Sequence, residues 1–160
     1  MKFEIGKVIM HRNLGLCTVI ALTERDGIPY YKLQTYYEPH SLLLVPKKGD
    51  HSTCREVMSR KECEELFEYM KTMEANINLH NKQKKESYTR MLHSNDPKQL
   101  AQLSRSLYLY KEEKRNKKQI LSLEDTHIFQ AAATYLHNEI SFVYGIEVEQ
   151  VIPFIAEKIS

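Results

Sequence analysis

Residues 78–118 read NLHNKQKKESYTRMLHSNDPKQLAQLSRSLYLYKEEKRNKK, and this segment shows how the whole chain is organised. It contains eleven lysines and arginines against four acidic residues, a net charge of +7, whereas the complete sequence carries only +2. Apolar side chains inside it recur at the spacing of one helix face: Leu100, Leu103, Leu107 and Tyr110. The segment therefore predicts helices with one buried apolar stripe and a basic outer surface.

A basic helical surface can bind nucleic acid, because neutralising phosphates releases their condensed counterions. The alternative is a solvated helix face, and charge alone favours that interpretation. The charge is nevertheless unevenly distributed, since residues 57–77 carry −2 and residues 119–160 carry −5. A helical domain of this kind is dipolar and is expected to turn one face towards a polyanion.

The chain before the helices has the two-residue period of β-strands. Leu16, Thr18 and Ile20 alternate with Cys17 and Val19, and both faces are largely apolar, which predicts a central strand. Residues 7–10, 16–22, 28–37, 41–45 and 53–57 form five short strand-like runs, with a hairpin signal in the dipeptide DG between the second and third. The pattern predicts a small antiparallel barrel.

After residue 57 the period changes from that of a strand to that of a helix. Ser59 and Glu62 have the spacing of a capping box, and Asp96 followed by Pro97 is typical of a helix start. Continuing this pattern to the end of the chain predicts about five helices in residues 58–160. The fold class is therefore α+β, with a β module in residues 1–57 and an all-α module after it.

Two places in the helical half are predicted to be irregular. Residues 111–118 are so highly charged that the end of the third helix is expected to fray. Pro153 falls inside the apolar pattern of the fifth helix, where a proline removes a hydrogen bond, so that helix is expected to kink or to begin later.

Bulk composition excludes several classes of protein. No apolar run is long enough to cross a bilayer and the start of the chain lacks the core of a signal peptide, so we expect a cytoplasmic protein without a membrane partner. The three cysteines, Cys17, Cys54 and Cys63, have no framework spacing and are expected to be reduced. A metal site built on His51 and Cys54 would lack a fourth ligand, so no metal is expected.

Sequence signatures of catalysis do not occur. The chain has no glycine-rich phosphate loop, no G-x-S-x-G and no H-E-x-x-H. His127 and His137 lie ten residues apart on one predicted helix and do not share a face. We therefore expect a binding module, neither an enzyme nor a cofactor protein.

Five motifs occur along the chain in a recognisable order and spacing: Phe3-x-Ile5-Gly6-Lys7-x-Ile9, Leu44-Val45-Pro46, Arg55-Glu-Val57-Met-Ser59, Leu121-Ser122-x-x-Asp125 and Ala132-x-x-Tyr135-Leu136-x-x-Glu139. With these motifs the chain resembles the CarD/CdnL family of bacterial RNA-polymerase-binding regulators. The resemblance covers the chain nearly from end to end. It implies a Tudor-like β-barrel in residues 1–57 that docks on the polymerase β subunit. It also implies a helical domain in residues 58–160 that contacts promoter DNA at the upstream edge of the melted region.

The β module supplies the candidates for polymerase binding. We select Arg25, Tyr31, Leu42 and Leu44 as that surface. An edge strand of the module could pair with a strand of the polymerase by β-augmentation. For Tyr31 and Leu44 a place in the barrel core is an equal alternative, because strand faces are hard to assign from one sequence.

The helical module departs from the family at its predicted DNA contact. Many members have a tryptophan at the start of the second helix that wedges against DNA, whereas the resemblance places Asn81 there and the chain contains no tryptophan. Asparagine can donate a hydrogen bond but cannot unstack a base pair. Asn81, Lys82, Lys84, Lys85 and Arg90 remain the candidates for weak, non-specific contact with promoter DNA.

A second functional class stays open. The chain could be a protein-interaction adaptor of RNA polymerase without DNA contact, its helical domain binding another protein or a second copy of itself as a homodimer. The missing tryptophan favours this class. Salt dependence separates the two, because phosphate contacts weaken steeply with salt and apolar contacts do not.

Overall fold

The structure is a computed structural model that describes residues 2–49, 53–73 and 82–160, with the backbone alone for residues 82–84. The chain divides into two compact units, Met1–Val57 and Met58–Ser160. In the described residues the first unit contains five strands and the second contains five helices. The chain is therefore α+β, with its strands and helices segregated.

The first unit is one antiparallel sheet, which we call the sheet unit. Its strands are β1 (Val8–His11), β2 (Gly15–Arg25), β3 (Ile28–Thr35), β4 (Leu42–Pro46) and β5 (Cys54–Glu56). They lie in the order β4-β3-β2-β1-β5, so β2 is central, as its two apolar faces predicted. No pairing joins β4 to β5 in the described residues, and the sheet is open there. The closed barrel predicted from sequence is not observed, because β5 has only three residues and pairs with β1 alone.

A β-bulge changes the face of β2 partway along the strand. The register shifts between Val19 and Ala21, so that Val19 lies opposite Leu33 and Ala21 lies opposite Lys32. Strict alternation would put Val19 and Ala21 on the same face, and the bulge puts them on opposite faces. Arg25, four residues further on, consequently shares the face of Lys32.

The core of the sheet unit lies on the face that carries Val19 and Leu33. Its buried members are Ile9, Cys17, Val19, Tyr31, Leu33, Val45 and Cys54. The β2–β3 hairpin turns at Asp26 and Gly27, whose φ angles of 52° and 78° are those that the predicted tight turn requires.

The second unit is all-helical, and we call it the helical unit. Its helices are α1 (Arg60–Thr72), α2 (Lys82–Leu92), α3 (Pro97–Asn116), α4 (Leu123–Tyr144) and α5 (Val148–Ile159). The predicted starts of α1 and α3 are confirmed. The Ser59 hydroxyl accepts from the Glu62 N–H at 3.1 Å, and the Asp96 carboxylate accepts from the Lys98 N–H at 3.0 Å. None of the helices described is long and apolar enough to cross a membrane.

The predicted fraying of the third helix and the predicted later start of the fifth helix are wrong, while the kink predicted at Pro153 stays a prediction. Helix α3 continues to Asn116, and two ion pairs along its last turns, Arg115 with Glu112 at 3.9 Å and Lys117 with Glu113 at 3.4 Å, offset part of the crowding of like charges. Helix α5 runs through Pro153 from Val148. The apolar face of that helix is buried through Val151 and Ile155, and this packing outweighs the one backbone hydrogen bond that a proline removes.

Two apolar clusters hold the helical unit together. The first joins Met58, Cys63, Leu66, Phe67, Ala101, Leu136, Ile140, Val151 and Ile155. The second joins Tyr88, Leu92, Leu100, Leu103, Leu107, Ile128 and Ala132. Helix α4 contributes to both clusters. It also buries Glu139 completely, and the Glu139 carboxylate accepts a 2.8 Å hydrogen bond from the backbone N–H of Met58.

Candidate interaction surfaces

The outer face of the sheet unit, opposite its core, brings together three of the four residues predicted to bind the polymerase. Lys32 lies directly opposite Leu44, and the bulge brings Arg25 to the same face. With Leu42 and Thr23 these side chains line a cavity of about 300 Å³. We call this set the outer sheet face: Thr23, Arg25, Lys32, Leu42 and Leu44.

Apolar and positive groups alternate on the outer sheet face. Leu42 is 58% exposed, and Leu44 is half-buried beside it. Arg25 is exposed and Lys32 is half-buried. Such a surface suits a partner strand that carries both an apolar anchor and an acidic side chain. Lys32 and Thr23 were not predicted from the sequence, because only the pairing register of the strands places them beside Leu44.

Tyr31 lies elsewhere, in the core of the sheet unit. Its side chain is 1% exposed, and its hydroxyl accepts a 2.7 Å hydrogen bond from the backbone N–H of Phe3. The ring of Phe3 packs against it at 5.6 Å between centroids. Of the two interpretations open for Tyr31, the structure therefore places it in the core, and its side chain is not part of the outer sheet face.

The free edge of β4 presents backbone groups next to the exposed leucines. The N–H of Thr35 donates to the carbonyl of Ser41 and the N–H of Lys47 donates to that of Pro29, both at 3.0 Å. Since bonded pairs alternate along an antiparallel ladder, the N–H groups of Leu42 and Leu44 are directed away from β3. In the described residues no strand lies on that side of β4. A partner strand could accept these hydrogen bonds.

The three cysteines are buried free thiols. Burial raises the pKa of Cys17 to about 12, and the neighbouring Cys54 adds to this effect. Burial likewise raises the pKa of Cys54 to about 11, against the opposing charge of Arg12. The described residues contain no group of three or more histidine, cysteine or acidic side chains placed to hold a metal. His51, named with Cys54 for a metal site, lies outside the described residues.

We expect these cysteines to be reduced and slow to react in the folded protein. With a pKa near 11, roughly one Cys54 thiol in a thousand is ionised at pH 8, and only the thiolate is nucleophilic. Labelling with an aromatic disulfide reagent should be slow in buffer and rapid for all three thiols in urea. Rapid labelling of Cys54 in the folded protein, or one zinc per chain that Cys54→Ser removes, would contradict this expectation.

Helix α2 carries the residues predicted to contact DNA. Lys85 and Arg90 are exposed on it, and the Lys85 ammonium lies 2.8 Å from the Glu124 carboxylate. The hydrogen bond that the Lys85 ammonium donates to this carboxylate, together with the charge of the carboxylate, raises the pKa of Lys85, which is therefore a full cation at neutral pH. The side chains of Lys82 and Lys84 are not described. Asn81 lies outside the described residues.

Other cations of the basic segment lie over aromatic rings in the helical unit. These are Lys98 over Tyr69 at 5.6 Å, Lys111 over Phe129 at 5.9 Å and Lys114 over Tyr110 at 5.2 Å. Exposed contacts of this kind contribute only about 0.5–1 kcal/mol each. A phosphate can therefore compete for these lysines. Arg90 has no carboxylate within 4.0 Å among the described residues, which leaves its charge open to a ligand.

The sheet unit has a free strand edge beside exposed Leu42, and the helical unit contains the segment with the concentrated positive charge. Comparison with protein families gives a match to the model described as CarD, C-terminal domain, over residues 65–156, more than half of the chain. The match begins within α1 and ends within α5. The chain belongs to the CarD/CdnL family. No curated protein matches it.

Proposed function

We propose that this chain is a non-enzymatic transcription regulator that acts on RNA polymerase in the cytoplasm. The observation that carries the proposal is the match of residues 65–156 to the CarD C-terminal domain, because members of this family act at the polymerase. Two further features support it: the outer sheet face and the basic segment of the helical unit. Each corresponds to one of the two contacts that such a regulator needs.

The first contact in this proposal is between the sheet unit, as a Tudor-like module, and the polymerase β subunit. Edge strand β4 adds to a strand of the β subunit through the N–H groups of Leu42 and Leu44. The two leucine side chains fill an apolar pocket of the partner, and Arg25 pairs with an acidic side chain beside it. Lys32 supplies a second cation on the same face.

The second contact is between the helical unit and the phosphate backbone of promoter DNA. Lys82, Lys84, Lys85 and Arg90 of α2 supply the charge, and Asn81 precedes them without a ring to insert between bases. Contacts of this kind are weak and independent of sequence. They become effective once the sheet unit has docked, since tethering raises the local concentration of the helical unit at the promoter.

Polymerase binding is tested with two variants of the full-length chain and one control variant. Arg25→Glu should weaken retention of the polymerase about tenfold, because it sets like charges against each other. Leu44→Pro should weaken it similarly, because proline has no N–H to donate to the partner strand. Leu44 is a suitable site because its N–H makes no bond to β3, so the sheet itself keeps its ladder. The measurement is the equilibrium dissociation constant for purified polymerase core.

The matched control is Lys48→Glu, the same reversal at an exposed loop position away from the outer sheet face. It should leave the dissociation constant unchanged. Circular dichroism of each variant reports whether the fold is intact. Wild-type affinity of both folded variants, Arg25→Glu and Leu44→Pro, would show that the polymerase binds another surface.

An adaptor without DNA contact is the second candidate. The ion pair of Lys85 with Glu124 favours it, because one cation of α2 already has a partner. The absent tryptophan favours it too. In this candidate the helical unit binds another protein or a second copy of the chain. Binding to the promoter complex would then change little between low and high salt.

A further inference from the structure

A second cavity lies wholly within the helical unit, among α1, α3, α4 and α5. Its volume is about 370 Å³. Small side chains make the space, one from each of three helices: Ala101 of α3, Ala133 of α4 and Ala156 of α5. Larger apolar side chains surround them, among them Leu136 and Ile155. The volume is within the range of small-molecule sites and is much larger than a packing defect.

The cavity opens to solvent at an apolar rim. Ile152 is 65% exposed and Tyr108 is 49% exposed, although both are large apolar side chains. Along α3, the residues Ala101, Ser104 and Tyr108 recur at helical spacing and face the same space. The cavity is therefore a groove that a ligand can enter from one side.

Besides the Tyr108 hydroxyl, three polar side chains line this largely apolar space: Ser104, Arg105 and His137. None has a hydrogen bond or an ion pair with another described side chain, although Ser104 and His137 are half-buried. Burial lowers the pKa of His137, so its ring is uncharged at neutral pH and keeps one N–H to donate. An apolar cavity lined by a few polar side chains is typical of a ligand site.

We propose that this groove binds an amphiphilic carboxylate, with its hydrocarbon tail among Ala101, Ala133 and Ala156 and its head group on Arg105 and His137. The charge follows from Arg105, whose planar guanidinium matches a carboxylate and has no acidic partner within 4.0 Å among the described residues. The hydrocarbon tail of the proposed ligand follows from the apolar side chains that line the groove. Ser104 and Tyr108, which also line the groove, each carry a hydroxyl group.

The proposal is independent of polymerase binding, because the groove belongs to the helical unit alone.

Calorimetric titration of the full-length chain tests the proposal with three probes. Decanoate has the tail and the negative head, decyltrimethylammonium has the same tail and a positive head, and acetate has the head alone. Decanoate should bind with one site per chain. The cationic probe should bind at least about tenfold more weakly, because Arg105 repels it. Acetate should give no detectable heat, because it lacks the tail that the groove buries.

Variants locate the site. Arg105→Gln should weaken the binding of decanoate about tenfold, because it removes the guanidinium group that pairs with the carboxylate. Ala133→Phe should abolish binding, because the ring fills the groove. The matched control is Arg115→Gln, which removes an exposed cation of the same helix, α3, that does not line the groove, and it should leave the decanoate affinity unchanged. Thermal unfolding shows which variants fold. If Ala133→Phe does not fold, Arg105→Gln alone tests the proposal.

Three outcomes would overturn the proposal. Equal binding of the two charged amphiphiles would make the groove a general apolar surface without a carboxylate site. Full decanoate affinity in folded Arg105→Gln would place the head group elsewhere. Absence of decanoate binding, together with a change in sedimentation mass on Ala133→Phe, would assign the groove to contact with a second copy of the chain.

Discussion

Substituting Glu139 by alanine is expected to lower the free energy of unfolding of the helical unit by about 3 kcal/mol. Glu139 is fully buried on α4, and its carboxylate accepts the 2.8 Å hydrogen bond from the backbone N–H of Met58. Met58 is itself buried and lies directly before the Ser59 cap of α1. Alanine leaves that N–H without its acceptor and opens a space at the base of α1, and the two losses act together.

The measurement is urea unfolding followed by circular dichroism at 222 nm, which reports the helices. Glu139→Gln keeps a carbonyl oxygen for the Met58 N–H and should cost only about 1 kcal/mol. Glu157→Ala, at an exposed position of α5, serves as the control and should stay within about 0.5 kcal/mol of the parent. A loss below about 1 kcal/mol for Glu139→Ala would mean that this hydrogen bond does not hold α1 to α4.

The second large effect concerns the promoter. Introducing an aromatic ring with Asn81→Trp should lengthen the half-life of the polymerase–promoter open complex about tenfold or more, since a wedging side chain offsets a few kcal/mol of unstacking per step. Changing Lys82, Lys84 and Lys85 together to alanine should shorten it to the value without regulator. Three phosphate contacts correspond to a difference of roughly 2.7 in the slope of log affinity against log salt.

Half-lives are measured with a competitor at two salt concentrations. Asn81→Ala removes the asparagine without adding a ring and should not lengthen the half-life. Lys61→Ala, at an exposed lysine on α1, is the control for charge and should behave like the parent chain. If the parent does not alter the half-life and Asn81→Trp does not either, the helical unit makes no DNA contact and the adaptor candidate remains.

The helix boundaries of this chain can be predicted from the sequence, because they depend on residues close to one another along the chain. Ser59 and Glu62 satisfy each other's backbone groups across three positions, and Ser122 does the same for the Asp125 N–H at 3.1 Å. Gly145 takes the left-handed conformation that ends α4. Such signals need no knowledge of the rest of the fold. The end of α3 was not predicted correctly, because ion pairs offset its like charges and composition alone does not show those pairs.

The candidate surfaces were only partly predictable. Arg25 and Leu42, which were selected for the polymerase surface, are exposed, whereas Tyr31, which was equally consistent with the surface and with the core, is buried. The side of the sheet that a strand residue faces depends on its partners, and the bulge after Val19 reverses that assignment within one strand. Lys32 could be placed beside Leu44 only once the register was known.

The sequence by itself determined the α+β order of the units, the starts of α1 and α3, and the concentration of charge in residues 78–118, because each depends on local pattern or composition. Only the tertiary structure decided the outer sheet face and the alanine-lined groove. The groove requires Ala101, Ala133 and Ala156 to meet from three helices, and no spacing along the chain encodes that meeting. Residues far apart in sequence become one site when packing brings their helices together.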